Sequence, residues 1–581
     1  MDKINIKINN TDYQVEAGTT ILEACNEIGI LIPTLCWMKD MNQIGACRMC
    51  MVEVKGARTL VTACVYPVND GMEVITNSAK VQNARKTNLE LILSDHDQDC
   101  LSCVRSTDCE LQQLCKDYGV ESGRFDGEKL THEIDESTSY LVRDNNKCIL
   151  CRRCVAACKA QHVGVIEASD RGFNTHIACA FESDLEYTSC ISCGQCIVNC
   201  PTGALHERDD TAEVTKHLND PDKIVIVHTA PAIRATLGEA FGMPVGTNVE
   251  GKLAAALRRL GFNKVFDTDF AADFTILEEA NEFVGRVKNG GTLPIITSCC
   301  PGWIKFAEFY HPDLFENLSS CKSPQGMMGA MIKTYWAEKN GVDPANIVVV
   351  SIMPCTAKKY EVARPEMHTA GELVDNDYSL TTRELSRMIK RAGLTFENLP
   401  NEDFDTPLGE STGAAVIFGA SGGVLEAALR TAAAWVTGQD ELDSLDFKEV
   451  RGEVGLKEAT YKVGDLDVSV CAVSGMDHAE KLLRAVKNGE KNYHVIEIMA
   501  CPGGCINGGG QPTQPAKVRN FVDLKKLRSE SLYANDAEKG IRSSHKNEAV
   551  LEVYKEYFKE PGSHKAHDTL HTHYEKKTFD F

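Results

Sequence analysis

Ile4, Ile6 and Ile8 alternate with polar residues, a pattern that predicts a half-buried strand. Asn9-Asn10 supplies a turn, and Tyr13 to Val15 reads as the returning strand. Thr20-x-x-Glu23 is a capping box that opens a helix over Ile21 to Ile28. Val81 to Ser94, carrying Leu89, Leu91, Ile92 and Leu93, reads as a second helix. Beyond residue 210, short apolar runs alternate with helical stretches. Ile224 to Val227, Lys264 to Phe266, Leu293 to Ile296, Ile347 to Ile352 and Val495 to Ile498 read as strands, and Leu253 to Leu260 and Val424 to Val436 as helices. Such alternation predicts α/β architecture with ligand sites at the carboxyl ends of strands. Three of those ends deliver cysteine: Thr297-Ser298-Cys299-Cys300-Pro301, Met353-Pro354-Cys355 and Cys501-Pro502-Gly503-Gly504-Cys505.

Composition sharpens this picture. A chain of 581 residues is too long for one core, so three or more domains are expected. The apolar fraction of 43% is ordinary for a globular protein. No run of about 18 apolar residues suggests a membrane span. Met1-Asp2-Lys3-Ile4 does not begin a signal peptide, so a cytoplasmic location is expected. A net charge of -21 argues against nucleic-acid binding. With 25 cysteines in such a chain, metal or redox chemistry is expected rather than disulfides, zinc and iron–sulfur clusters being the candidates.

The cysteines fall into groups along the chain. Cys36, Cys47, Cys50 and Cys64 are separated by ten, two and thirteen residues, irregular for a zinc finger. This spacing resembles the [2Fe–2S] domain of complex I and its relatives, which implies a β-grasp fold over residues 1–78. Gly45-Ala46 beside Cys47 suits a tight loop, and Cys25 on the helix reads as core. His96, Cys100, Cys103 and Cys109 could bind zinc; the pattern resembles the His-ligated [4Fe–4S] module that follows such domains, here residues 79–135. Cys115 is left over and reads as structural. In residues 136–209, Cys148-x2-Cys151-x2-Cys154-x3-Cys158 is matched by Cys190-x2-Cys193-x2-Cys196-x3-Cys200-Pro201, the bacterial two-cluster ferredoxin signature. There the fourth cysteine of each run ligates the other cluster. One [4Fe–4S] cluster is therefore expected on Cys148, Cys151, Cys154 and Cys200, the other on Cys190, Cys193, Cys196 and Cys158. Cys179 has no partner. The series reads as four electron carriers in a row.

The motifs Thr297-Ser298-Cys299-Cys300-Pro301, Met353-Pro354-Cys355-Thr356-Ala357-Lys358-Lys359 and Glu497-Ile498-Met499-Ala500-Cys501-Pro502-Gly503-Gly504-Cys505 resemble the three signatures of [FeFe]-hydrogenase, and the resemblance extends over essentially the whole chain. It implies a large α/β H-cluster domain at 210–560. Cys300, Cys355, Cys501 and Cys505 would hold a [4Fe–4S] subcluster. Cys505 would bridge to a diiron subcluster carrying CO, cyanide and dithiomethylamine. Lys358 would hydrogen-bond a cyanide, and Ala230, Pro231, Pro324, Gln325, Met353, Phe418 and Met499 would line the pocket. Position 232 is Ala where some relatives place Ser. The family's proton path maps onto Cys299, Glu282, Ser319 and Glu279, with Arg286 four residues beyond Glu282. Taken alone, the i, i+3 spacing of Glu279 and Glu282 suits a solvated helix face.

The implied reaction is reversible H2 oxidation and proton reduction. The complex I-like front end favours a hydrogenase subunit of an electron-bifurcating complex, working with ferredoxin and with NAD- and flavin-binding partner subunits. The alternative is a stand-alone ferredoxin hydrogenase; a remoter one is an electron-transfer or assembly protein without hydrogen activation. Gly419-Ala420-Ser421-Gly422-Gly423 matches neither the Walker nor the Rossmann spacing, so any NAD reaction requires another subunit. Residues 561–581, with His564, His567, His571 and His573, read as a polar tail, either solvated or docking a partner.

Overall fold

In a computed structural model of the protein, residues 3–121, 123–438, 445–452, 455–464, 466–519 and 521–578 are described. The opening alternation becomes the strand Lys3–Ile8, paired antiparallel with Thr11–Glu16. Thr20 and Glu23 form the capping box: the Glu23 N–H donates to Thr20 Oγ1, and the Thr20 N–H donates to Glu23 Oε2 at 2.9 Å. The helix Ile21–Glu27 packs Ile21, Leu22 and Cys25 into the core of a five-stranded sheet, so Cys25 is a core residue.

Two four-stranded sheets build the large domain. One is all parallel, in the order Lys264–Asp267, Ile224–Thr229, Ile347–Met353, Tyr378–Thr381. The other runs Ile295–Ile296, Val495–Met499, Leu466–Ser474, Leu456–Val463, with only the last strand antiparallel. The run expected from Leu293 is a strand only at Ile295–Ile296. Pro294 has no N–H to give a ladder, and Leu293 is exposed. Ile347–Met353 is buried at every position, as a central parallel strand covered on both faces must be.

The glycine run also finds its purpose. It leads into the helix Gly423–Thr437. Glu497, buried on its strand, accepts from the Gly422 N–H at 2.6 Å and the Leu425 N–H at 2.9 Å. A carboxylate from the neighbouring sheet thus satisfies the free amides of the helix start and complements its dipole.

The C-terminal segment departs from the sequence expectation of a solvated tail. His564–Leu570 is a helix with Ala566 and Leu570 in the main core. His571 forms a β-bridge with Cys321, and Tyr574 Oη donates to the Ser319 carbonyl at 2.9 Å. Burial of Ala566 and Leu570 at helical spacing outweighs the segment's polar composition.

Candidate active site

The three cysteine-bearing strand ends converge. Past Ile295–Ile296 the chain turns through Cys299 into Cys300, the N-cap of the helix Pro301–Tyr310. Cys355 follows Ile347–Met353, and Cys501 follows Val495–Met499. Cys299, Cys300, Cys355, Cys501 and Cys505 line one cavity of about 730 Å³ including its mouth. The same wall carries Ala230, Pro231, Ala232, Pro324, Gln325, Met353, Lys358, Phe418 and Met499.

This donor set suits a large thiolate-held group. Burial raises the Cys501 and Cys505 thiols well above their ordinary range, and raises Cys355 to about 12. Ionising several such thiols together requires a compensating metal charge. The Ala500 N–H already donates to Cys300 Sγ at 3.4 Å. A Cβ at Gly508 would lie 2.3 Å from the Pro354 carbonyl oxygen, so glycine lets the Cys355 and Cys505 loops close on each other.

Lys358 is held by three acceptors: Ser323 Oγ at 2.7 Å, Glu361 Oε2 at 2.9 Å and the Cys299 carbonyl at 3.2 Å. Burial opposes its charge, but Glu361 outweighs this and holds the ammonium above its ordinary range. Gln325 donates to Glu361 Oε2 at 2.7 Å and accepts from Ser351 at 2.7 Å and Ser379 at 3.1 Å. Glu361 and Ser323 were missed in the sequence; the i, i+3 spacing of Lys358 and Glu361 was the available signal.

Glu279 and Glu282 both lie on the helix Thr268–Asn289, but their surroundings differ. Glu279 is buried, and its Oε1 has no hydrogen-bond partner. Burial first, then the charge of Glu282, raise its carboxyl to about 8, against a smaller lowering by Ser319. Glu282 reaches the rim. Its Oε2 accepts from Ser319 Oγ at 3.1 Å and its Oε1 from Arg286 at 2.5 Å. Arg286 also donates to the carbonyls of Leu318 at 2.8 Å and Glu316 at 2.9 Å. The structure therefore links Ser319, Glu282 and Arg286 at the rim, with Glu279 buried beside Ser319 and close enough for its charge to raise the Cys299 thiol.

The other cysteine groups gather as well. Cys158, Cys190, Cys193 and Cys196 line one cavity of the ferredoxin-like region, and Cys148, Cys151, Cys154 and Cys200 line another. Cys50 Sγ stands 3.3 Å from Cys64 Sγ, both as free thiols, and the Leu35 N–H donates to Cys47 Sγ at 3.4 Å. His96 is buried with Nδ1 unpartnered. Cys115 packs against the same apolar cluster as Cys47 and Cys109, and Cys179 accepts from Arg143 at 3.7 Å. Among the described residues no three His, Cys, Asp or Glu side chains converge tightly enough for a single ion.

The arrangement is a fork, not the expected row. Asn42 Nδ2 donates to the carbonyls of both Cys36 and Cys151, at 2.8 and 3.1 Å. Arg105, between Cys103 and Cys109, donates to the Cys200 carbonyl at 3.3 Å. Both upstream sites thus meet the Cys148–Cys200 end of the ferredoxin-like region. Its other end meets the large domain: Thr356 Oγ1 donates to the Ser192 carbonyl at 2.7 Å, and Gln195 to the Asn507 carbonyl at 2.9 Å.

Residues 223–509 match the family described as iron only hydrogenase large subunit, C-terminal domain, and 522–577 match iron hydrogenase small subunit. A 2Fe-2S iron-sulfur cluster binding domain matches 1–79, an NADH-ubiquinone oxidoreductase-G iron-sulfur binding region 85–124, and a 4Fe-4S dicluster domain 147–206. The chain is 49% identical to the NADP-reducing hydrogenase subunit HndD of Solidesulfovibrio fructosivorans, over 99% of this chain and 100% of that one. It is 42% identical to iron hydrogenase 1 of Clostridium pasteurianum, over 98% and 100%. The chain belongs to the [FeFe]-hydrogenases. The solved HydA1 hydrogenase from Chlamydomonas reinhardtii superposes with a TM-score of 0.57 at 39% identity, covering 64% of this chain and 99% of that one. This hydrogenase is thus an iron–sulfur oxidoreductase that acts on H2 at an H-cluster, with [2Fe–2S] and [4Fe–4S] domains ahead of it. Its final segment lies within the small-subunit match, which agrees with the docked helix found there. Among the described residues no helix is long and apolar enough to cross a membrane.

Proposed function

We propose that Cys300, Cys355, Cys501 and Cys505 would hold the H-cluster, Cys505 also serving its diiron unit. The observation that carries this reading is the convergence of these four thiols, Cys299 and Lys358 on one cavity. When bound, the group supplies the site at which H2 is split or formed; the chain holds it, excludes water and moves electrons and protons. Lys358, preorganised by Ser323 and Glu361, presents a charged donor to a cyanide ligand. Cys299 would carry a proton between the cavity and Glu279, which would pass it through Ser319 to Glu282 and the solvent beside Arg286. Infrared spectroscopy of the matured protein tests the cofactor: CO and cyanide bands are expected, and their absence after maturation would sink the assignment.

Cys36, Cys47, Cys50 and Cys64 would hold one [2Fe–2S] cluster and His96, Cys100, Cys103 and Cys109 one [4Fe–4S] cluster, both placed to supply electrons to a [4Fe–4S] cluster that Cys148, Cys151, Cys154 and Cys200 would hold. Cys158, Cys190, Cys193 and Cys196 would hold the [4Fe–4S] cluster nearest the active site, whose chemistry would be electron transfer to it. Two inputs suit a cytoplasmic hydrogenase subunit that serves ferredoxin and an NAD- or NADP-reducing flavin partner in an electron-bifurcating complex. The full-length similarity to an NADP-reducing hydrogenase subunit supports this. The similarity to iron hydrogenase 1 over the same span favours the second reading, a stand-alone ferredoxin hydrogenase. Co-purification from the native host separates them: flavin-containing partner subunits are expected, and isolation of a lone, fully ferredoxin-active chain would favour the second. The intact cysteine sets weigh against a protein that carries clusters without activating hydrogen.

A further inference from the structure

The histidines of the C-terminal segment remain unused by that function, yet one of them joins the proton path. His571 Nδ1 lies 2.8 Å from Ser320 Oγ, and His571 Nε2 lies 3.1 Å from Glu278 Oε2. Ser320 in turn reaches Glu282 Oε2, through its N–H at 3.2 Å and its hydroxyl at 3.4 Å. Glu278, Glu282 and Glu279 sit on the same helix, so the imidazole straddles a second carboxylate beside the proposed path.

We propose that Glu278, His571 and Ser320 form a second proton port onto Glu282. The inference rests on Glu282 being the outer carboxylate of the path.

The hydrogen-bond inventory fixes how such a port works. Glu278 already accepts from Tyr554 Oη at 2.6 Å and the Gly562 N–H at 2.8 Å, so as a carboxylate it holds His571 with Nε2–H donating. Nδ1 then has two states. Protonated, it donates to Ser320 Oγ, which frees the hydroxyl proton to donate to Glu282. Neutral, it accepts the Ser320 O–H, and Glu282 loses that donor. Transfer of Nδ1–H to Ser320 Oγ, with the hydroxyl proton moving to Glu282 Oε2, links the states: one N–H and one O–H break, and one O–H forms at each oxygen. The ring recharges from solvent. Glu278 is sealed, but 7% of the His571 side chain is open, and the exposed His567 ring stands 4.1 Å away.

The charges around the imidazole favour this exchange. Glu278 and Glu282 face it from Thr268–Asn289, with Arg286 behind Glu282. Tyr554 faces Glu278 from below, and His567 and Asp568 come from the preceding helix. Cys321 pairs with it in the bridge, and Lys322 is turned away onto Asp375 at 2.8 Å. Although His567 is largely exposed, partial desolvation and then the neighbouring His571 hold it below the ordinary imidazole range, so it gives up a proton readily.

The test uses the matured holoenzyme and the variants His571→Gln, Ser320→Ala and Glu282→Gln. Each of the first two is expected to lower proton-reduction turnover roughly tenfold, less than the ~10²-fold or more of a sole acid–base group, because the Arg286 side stays open. Free imidazole in the buffer should restore His571→Gln but not Ser320→Ala. The infrared carboxyl band that Glu282→Gln removes should change its pH midpoint in His571→Gln. Wild-type turnover and an unmoved carboxyl midpoint in both variants would overturn the port, as would a His571→Gln loss that imidazole leaves untouched. If His571→Gln fails to fold, Ser320→Ala, which leaves the imidazole–Glu278 bond in place, decides alone. A fully active Glu282→Gln would overturn the path itself; an inactive Glu282→Gln with silent His571 and Ser320 variants overturns only the port.

Discussion

Cys299 and Cys300 are neighbours with separate work. Cys300 accepts the Ala500 N–H and caps a helix, whereas burial and then the Glu279 charge keep the Cys299 thiol strongly protonated. In the proposed path Cys299 carries the proton while Cys300 is the ligand, a division the thiol's protonation alone does not make, since burial raises Cys355, Cys501 and Cys505 as well. Cys299→Ala is expected to retain CO and cyanide bands yet lose at least ~10²-fold in turnover; near-wild-type activity would break the path there. Glu279 makes a second prediction. Its carboxyl keeps a proton to about 8, against 4.5 ordinarily, so between those values the folded state binds a proton that the unfolded state has released. Stability contributed by this group is complete below pH 4.5 and is lost as pH rises through about 8. Glu279→Gln, which stays neutral, should flatten that decline in melting experiments from mildly acidic to alkaline pH, while abolishing turnover. An unchanged pH dependence would mean Glu279 is ionised throughout.

At the scale of elements, a strand of one sheet supplies the carboxylate that holds a helix start. Glu497 holds the Gly422 and Leu425 amides from the strand that ends two residues before Cys501. Glu497→Gln replaces charged acceptors by one neutral oxygen and a misplaced donor. It is expected to cost about 1.5–3 kcal/mol per lost bond, seen as a lower denaturant midpoint, with accessory clusters intact. A midpoint equal to the wild type would show that the buried group is already protonated. Residues Gly419 to Gly423 match no nucleotide-binding spacing, and their role is visible only with this partner, more than seventy positions away.

For the whole molecule, the decisive contact joins the ferredoxin-like region to the active site. A Cβ at Gly509 would lie 2.3 Å from the Cys193 carbonyl and 2.5 Å from Gly194 Cα, both backbone atoms that cannot swing aside. Gly509→Ala should push the two loops apart. Under H2, reduction of the accessory clusters, followed by electron paramagnetic resonance, is expected to slow while the CO and cyanide bands stay. Unaltered reduction kinetics would place the electron route elsewhere.

What the sequence determined by itself was whatever depends on local spacing and periodicity. The cysteine runs, the three strand-end motifs, the Thr20 capping box and the alternating elements of the large domain are such features. Ligand loops and helix starts are short-range objects, so their signals lie within a few residues. Tertiary structure alone decided the rest. The fork of upstream sites at the Cys148–Cys200 end, Glu361 and Ser323 behind Lys358, Glu497 under Gly422 and the docking of His571 all join residues distant in the chain. Composition misled about residues 561–578, because a polar segment becomes structural once two apolar residues at helical spacing find a core to enter. Glu279 and Glu282 show the same limit: helical spacing put them on one face, but only the fold buried one and left the other at the rim.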